Sequence, residues 1–153
     1  MATTEQGQQI DLGDLDLPQL QQIKQQFEEE LSHLTQSYSQ LRGAQARFND
    51  CRDSVESLKG EKADDKTILV PLTSSLYVPG KISNVETVIV DVGTGYYVEK
   101  SLADAAKFYK DKIEYIKGSA AKLQETITSK QSNVRALVNV MQDKIQAQPA
   151  GSA

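Results

Sequence analysis

Residues 102–144, LADAAKFYKDKIEYIKGSAAKLQETITSKQSNVRALVNVMQDK, carry apolar side chains at two interlocking seven-residue intervals. One seam reads Ala106, Ile113, Ala120, Ile127, Val134 and Met141; the other reads Leu102, Tyr109, Ile116, Leu123, Lys130, Leu137 and Lys144. Only the two lysines break a pattern sustained over about six heptads, where three or four already define a coiled-coil stripe. Ser101-Leu-Ala-Asp104 has the form of a helix N-terminus, with Ser101 as cap and Asp104 at the positive end of the macrodipole. Pro149 and Gly151 end the stretch. Gly118 weakens it by about 1 kcal/mol relative to alanine and marks either a bend or a close approach of a second helix.

A second helical stripe lies upstream. Between Pro18 and Lys59 there is no proline, and Gly43 is the sole glycine. Counting by sevens gives Leu20, Phe27, Leu34, Leu41, Phe48 and Val55; the offset seam, Ile23, Glu30, Ser37, Ala44, Cys51 and Leu58, is looser and is flanked by Leu31 and Tyr38. The spacing predicts helices over about 17–59 and 101–147, with the tails 1–9 and 148–153 disordered. The first helix carries a small acidic excess and the second a small basic one. This suits mutual pairing, although exposed ion pairs contribute little and the charges read mainly as solvated faces.

Between the helices the period switches. Thr67-Ile-Leu-Val-Pro-Leu72, Leu76-Tyr-Val-Pro-Gly-Lys-Ile82, Glu86-Thr-Val-Ile-Val-Asp-Val92 and Gly95-Tyr-Tyr-Val-Glu-Lys100 are β-branched and aromatic. Thr73-Ser74-Ser75 and Gly93-Thr94-Gly95 supply turns, so residues 67–100 read as two β-hairpins joined near Ser83-Asn84. Pro71 and Pro79 must then sit at edges or bulges.

Scale decides what these parts do together. Helices of about 40 residues run to roughly 60 Å, whereas strands of about six residues span only about 20 Å. The helices are therefore expected to pack on each other as an antiparallel coiled coil rather than over the strands. The fold class is α+β: a long two-helix coiled coil with two central hairpins. Isolated hairpins are marginal in water, and open apolar edges recruit other strands. The expectation is an oligomer that pools its hairpins into an inter-subunit β-barrel, with Val70, Leu72, Val88, Val90, Val92, Tyr96 and Val98 as the assembling side chains.

The free ends of the helices hold surplus apolar residues. Val134, Ala136, Leu137, Val138, Val140 and Met141 crowd one segment, and Ile10, Leu12, Leu15 and Leu17 alternate with aspartates in the other. An antiparallel hairpin brings these segments together. Such a patch marks an interaction site or accommodates further helix packing. The candidate interaction set is Leu12, Leu15, Leu17 and Leu20 with Val134, Leu137, Val138, Val140, Met141 and Ile145.

Composition narrows the function. The 153 residues carry 17 basic and 21 acidic side chains, a net charge of −4, which argues against a basic nucleic-acid or membrane-surface binder. No apolar run approaches a transmembrane span or a secretory core, and the first ten residues are polar, so a soluble protein of a reducing compartment is expected. With 1 cysteine and 1 histidine, intrachain disulfides, cysteine metal clusters and most catalytic constellations are excluded. No cofactor and no metal are expected, and no enzymatic activity.

Leu69-Val-Pro-Leu-Thr-Ser-Ser-Leu-Tyr-Val-Pro-Gly-Lys-Ile82, followed by Asp91-Val-Gly-Thr-Gly-Tyr-Tyr-Val-Glu-Lys100, resembles the central segment of alpha-class prefoldin subunits. Leu15-Asp-Leu-Pro-Gln-Leu20 is similar to the approach to their first helix. The resemblance covers roughly Leu15 to Ile145. It implies a heterohexamer in which one further alpha-class and four beta-class chains join this one, with coiled coils hanging from a double β-barrel. It also implies ATP-independent capture of unfolded polypeptides, notably actin and tubulin, at the helix ends and their transfer to the cytosolic group II chaperonin. The implied location is the cytoplasm, with a nuclear share left open. The rival reading is a coiled-coil structural adaptor that binds one folded partner.

Other residues invite chemistry but do not support it. Gly93-Thr94-Gly95 lacks the third glycine of a dinucleotide loop, and Tyr96 and Tyr97 would crowd a pyrophosphate. His33 reads as a solvated or half-packed helix residue, Cys51 as a small hydrophobe on the looser seam, and Glu28-Glu29-Glu30 as a solvated face.

Overall fold

The computed structural model describes residues 15–60 and 67–147. The expected disordered tails, the 61–66 connector, Ile10 and Leu12 lie outside the described residues. The element order is α1 (Leu17–Ser57), β1 (Thr67–Pro71), β2 (Tyr77–Lys81), β3 (Thr87–Gly93), β4 (Tyr96–Ser101) and α2 (Leu102–Ala147). Two compact units divide the chain: Met1–Gln40 with Ala120–Ala153, and Leu41–Ser119.

Local chemistry sets the helix ends. The Leu20 N–H donates to the Asp16 carbonyl at 3.0 Å, opening the α1 ladder. The Asp16 N–H in turn donates to Gln19 Oε1 at 3.0 Å, half of a capping box. Pro18 falls in the first helical turn, where a missing N–H costs nothing. At the other end Leu58 and Lys59 donate to the carbonyls of Val55 and Glu56, three residues back, and Gly60 takes a left-handed φ of 88°. This tightened exit stops α1 at Ser57, slightly earlier than the heptad count suggests.

The N-terminus of α2 is capped as expected. The Asp104 N–H donates to Ser101 Oγ at 3.1 Å, and Ser101 Oγ donates to Asp104 Oδ2 at 2.8 Å. Ser101 also ends β4, so the strand passes into the helix without a loop. At Gly118 an added Cβ would meet nothing within 4 Å, which excludes close helix approach as the reason for the glycine.

The strands form two separate two-stranded antiparallel sheets, β1-β2 and β3-β4. Pro71 pairs with Tyr77 and Leu69 with Pro79; a two-stranded sheet has only edge strands, the setting that tolerates proline. An added Cβ at Gly80 would lie 3.0 Å from Val70 Cγ2, so this position needs glycine for space. In β3-β4 the register shifts between Asp91 and Gly93, leaving Val92 as a bulge without a β4 partner. Gly93, Thr94 and Gly95 have φ values of 110°, 52° and 80°. This left-handed run makes the tight hairpin turn that the sequence indicates, and the Gly93 N–H donates to Asp91 Oδ1 at 2.8 Å.

In the Leu41–Ser119 unit the core is Val55, Val90 and Ala105, against which Val88, Leu102, Ala106, Phe108 and Tyr109 pack. Phe48 and Tyr109 approach with ring centroids 6.2 Å apart, and Phe108 meets Tyr109 edge-on at 5.5 Å. These pairings run α1 antiparallel to α2. In the other unit the buried positions are Leu20, Ala120, Ile127 and Leu137. There Glu30 pairs with Lys130, and Lys144 Nζ donates to the Leu15 carbonyl at 2.6 Å, again an antiparallel match.

Two expectations from the sequence are corrected, one from the heptads and one from the acidic run 28–30. Cys51 is exposed rather than seated in a seam, because Phe48, Val55 and Tyr109 supply the packing at that level. Glu30 is not part of a solvated face: its carboxylate engages Lys130 of the facing helix.

Candidate interaction surfaces

The first surface lies in the unit that contains both the start of α1 and the end of α2. Val138, Met141, Gln142 and Ile145 of α2 face Gln21, Lys24, Gln25 and Glu28 of α1 across a groove of about 470 Å³. Helical spacing explains the α2 side, since 138, 141, 142 and 145 lie along one face. Val138 and Met141 are half-buried, and Ile145 is 58% exposed. On the opposite wall Lys24 Nζ lies 2.9 Å from Glu28 Oε1, and Gln25 Nε2 donates to Glu29 Oε1 at 3.1 Å. The groove therefore joins an apolar side to one rich in amides that both donate and accept. Flexible methionine and open shape suit varied apolar chains better than one small ligand.

The expected set divides here. Val138, Met141 and Ile145 line the groove. Leu15, Leu17, Val134 and Val140 are half-buried outside its lining. Leu20 and Leu137 are corrected: both are 0% exposed, because they close the seam between the helices, and they present no surface to a partner. The α1 wall was missed by reading apolar residues alone. The glutamines at 21 and 25, one helical turn apart and beside the Leu20 seam position, were the signal.

A smaller cavity of about 360 Å³ sits one stage along the same unit, lined by Glu29, Glu30, His33, Leu34 and Lys130. The Lys130 ammonium holds the Glu30 carboxyl below its ordinary range and lies 5.2 Å from the centroid of the Phe27 ring. Among the described residues no group of three or more His, Cys, Asp or Glu side chains is arranged to hold a metal ion.

The second surface is on the hairpins. Leu72, Val92, Tyr96 and Val98 are exposed, as are Ile68, Leu69, Leu76, Tyr77, Ile89 and Tyr97, which the sequence reading did not single out. Val70 and Val88 are half-buried. Val90 is corrected: at 1% exposure it is the hairpin's anchor in its own core, opposite in facing to Ile89 at 74%. The near-continuous run Val88-Ile89-Val90 already carried that signal, since neighbouring strand residues point to opposite faces. An apolar surface of this extent on edge strands is the kind that another chain covers. Deeper in the unit, burial and the neighbouring Cys51 raise the Tyr109 hydroxyl above its ordinary range.

Two long antiparallel helices bearing two central β-hairpins define the chain as a hairpin-carrying coiled-coil subunit. The family model described as Prefoldin subunit matches residues 27–147, and the chain belongs to the prefoldin family of chaperone subunits. It is 44% identical over 144 residues to a protein of Schizosaccharomyces pombe named probable prefoldin subunit 5, covering 94% of each chain. To the human prefoldin subunit 5 it is 41% identical over 140 residues, 92% of this chain and 90% of that one. The Dictyostelium discoideum probable prefoldin subunit 5 is 42% identical over 92% of this chain and 86% of its own length. The fold is similar to a chain of filamentous PFD from Methanocaldococcus jannaschii, with a TM-score of 0.65 at 23% identity over 75% of this chain and 94% of that one. Prefoldin subunits form oligomeric complexes.

Proposed function

We propose that this subunit joins one further alpha-class and four beta-class prefoldin chains, pooling hairpins into a shared β-barrel. The complex captures unfolded polypeptides such as actin and tubulin and passes them to the cytosolic group II chaperonin without ATP. The work is done by binding alone, in the cytoplasm, with no catalytic step. The observation that carries the reading is the groove of Val138, Met141 and Ile145 against Gln21, Lys24, Gln25 and Glu28. An unfolded chain offers apolar side chains and unpaired backbone amides together, and this groove answers both. Each contact is weak, so affinity grows by avidity when several subunits hold one client.

The test uses the assembled complex carrying Val138→Ser, Met141→Ser and Ile145→Ser in this subunit. Native mass spectrometry is expected to give an unchanged six-chain particle, while suppression of aggregation of denatured actin falls. Full suppression by the triple variant overturns the groove's role. A homodimer with one tightly bound folded partner, in place of the six-chain particle, supports an adaptor instead.

A further inference from the structure

Two like charges converge on one ring in the Leu41–Ser119 unit. Lys100 Nζ and Lys112 Nζ each lie 5.6 Å from the centroid of the Phe108 ring. The fold fixes all three residues. Lys100 stands on β4 opposite Val88, on the sheet face that meets the core, so its stem is half-buried while its ammonium reaches out to Phe108. Phe108 packs on the core of Val55, Val90 and Ala105 and meets Tyr109 edge-on at 5.5 Å, which makes its ring a firm platform. Lys112 follows one helical turn later on the same face of α2.

Among the described residues no carboxylate lies within ion-pair distance of either ammonium, whereas Lys24, Arg52 and Lys130 each have one. Asp104, one turn before Phe108, is taken up by Ser101, whose hydroxyl donates to its Oδ2 at 2.8 Å. The ring attracts each cation, but it leaves their mutual repulsion standing, and a carboxylate placed between them relieves it. Tyr115, on the same face one turn beyond Lys112, is 75% exposed. It adds an apolar plane and a hydroxyl donor. Phe108, Lys112 and Tyr115, with Lys100 beside them, thus form a stripe of aromatic planes and unneutralised cations on a chain whose net charge is −4.

We propose that this stripe docks an acidic peptide segment of a folded partner protein. Its carboxylates sit between Lys100 and Lys112, and its apolar side chains lie against Phe108 and Tyr115. Charge complementarity selects the occupant. A nucleic-acid backbone is disfavoured, because the stripe offers it few cations and the acidic chain as a whole repels it. An unfolded client is answered by the groove in the other unit, where Lys24 is already paired with Glu28. The stripe and the groove share no residue, so each reading stands or falls by itself.

The test measures fluorescence anisotropy of a labelled peptide that alternates glutamate with phenylalanine, added to the assembled complex. The same peptide with glutamine in place of every glutamate is the control ligand. Lys100→Gln with Lys112→Gln removes both charges and keeps the stems, so the fold is retained. Lys107→Gln with Lys117→Gln removes as much charge from other faces of the same helix. The first pair is expected to weaken binding of the glutamate peptide about tenfold, and Tyr115→Ala about threefold. The second pair is expected to stay near wild type, and the glutamine peptide to bind far more weakly than its glutamate counterpart. Equal losses from the two lysine pairs, or equal binding of the two peptides, overturn the proposal. So does absence of binding to the complex, the result if a neighbouring subunit covers the stripe. Displacement of the peptide by denatured actin assigns the stripe to the client, and displacement by single-stranded DNA at equal charge assigns it to nucleic acid; either overturns the proposal.

Discussion

Lys130 of α2 meets Glu30 of α1 at a level where both helices have a seam position, so a charged pair stands where the heptad count calls for apolar residues. Its side chains are 30% and 39% exposed, and Lys130 also lies over Phe27. A polar pair in a seam contributes little net stability against an apolar one, but it penalises every register that separates the charges.

Replacing the pair with leucine on both helices is therefore expected to leave melting temperature unchanged or higher. The single change Lys130→Leu is expected to lower it slightly, because it removes both the ion pair with Glu30 and the ammonium over the Phe27 ring. Thermal melts of the three proteins check this, and cysteine cross-linking across the helices reads the loosened register of the double variant.

The same pair sets a pH dependence. Lys130 lowers the folded-state pKa of Glu30 below its ordinary 4.5. The contribution is full above the unfolded value and disappears as pH falls through the lowered folded value. Glu30→Gln is expected to flatten this part of the acid limb in a series of urea melts from neutral pH to pH 3.

Gly118 lies in α2 with open space where a side chain would go. Gly118→Ala is expected to stabilise the chain by about 1 kcal/mol through helix propensity alone. Chemical denaturation checks it, with an unchanged denaturant slope showing that the fold is the same.

Ser101 serves two elements at once, closing β4 and capping α2. Ser101→Ala is expected to cost about 1 kcal/mol. Hydrogen exchange is expected to show the loss first at the N–H of Asp104, which donates to the serine oxygen.

Burial separates the seam from the groove. Leu137→Ala removes a fully buried side chain and is expected to cost about 3 kcal/mol. Ile145→Ala, at an exposed position, is expected to leave stability within about 0.5 kcal/mol. Denaturation midpoints of the two variants check the contrast.

Much of this was legible from residue order alone. Heptad spacing from Leu20 to Val55 and from Leu102 to Lys144, the serine cap and the glycine turn each follow from local physics, and the two helices and two hairpins stand where those signals lie. The facing of individual side chains was harder to read. Leu20 and Leu137 look like surplus apolar residues until the partner helix is seen to cover them, and Val90 resembles its neighbours until Val55 and Ala105 close over it. Glu30 reads as solvent-facing within an acidic run because its partner is one hundred residues away. The polar wall of Gln21, Lys24, Gln25 and Glu28 escaped because it becomes a site only beside Val138 and Met141.

The groove is tested most directly by placing a photo-cross-linking amino acid at Ile145, with Tyr115, 75% exposed on the same helix, as the control position. Illumination of the assembled complex with denatured actin is expected to give adducts from position 145 and none from position 115. Adducts from 115 with none from 145 would contradict the account.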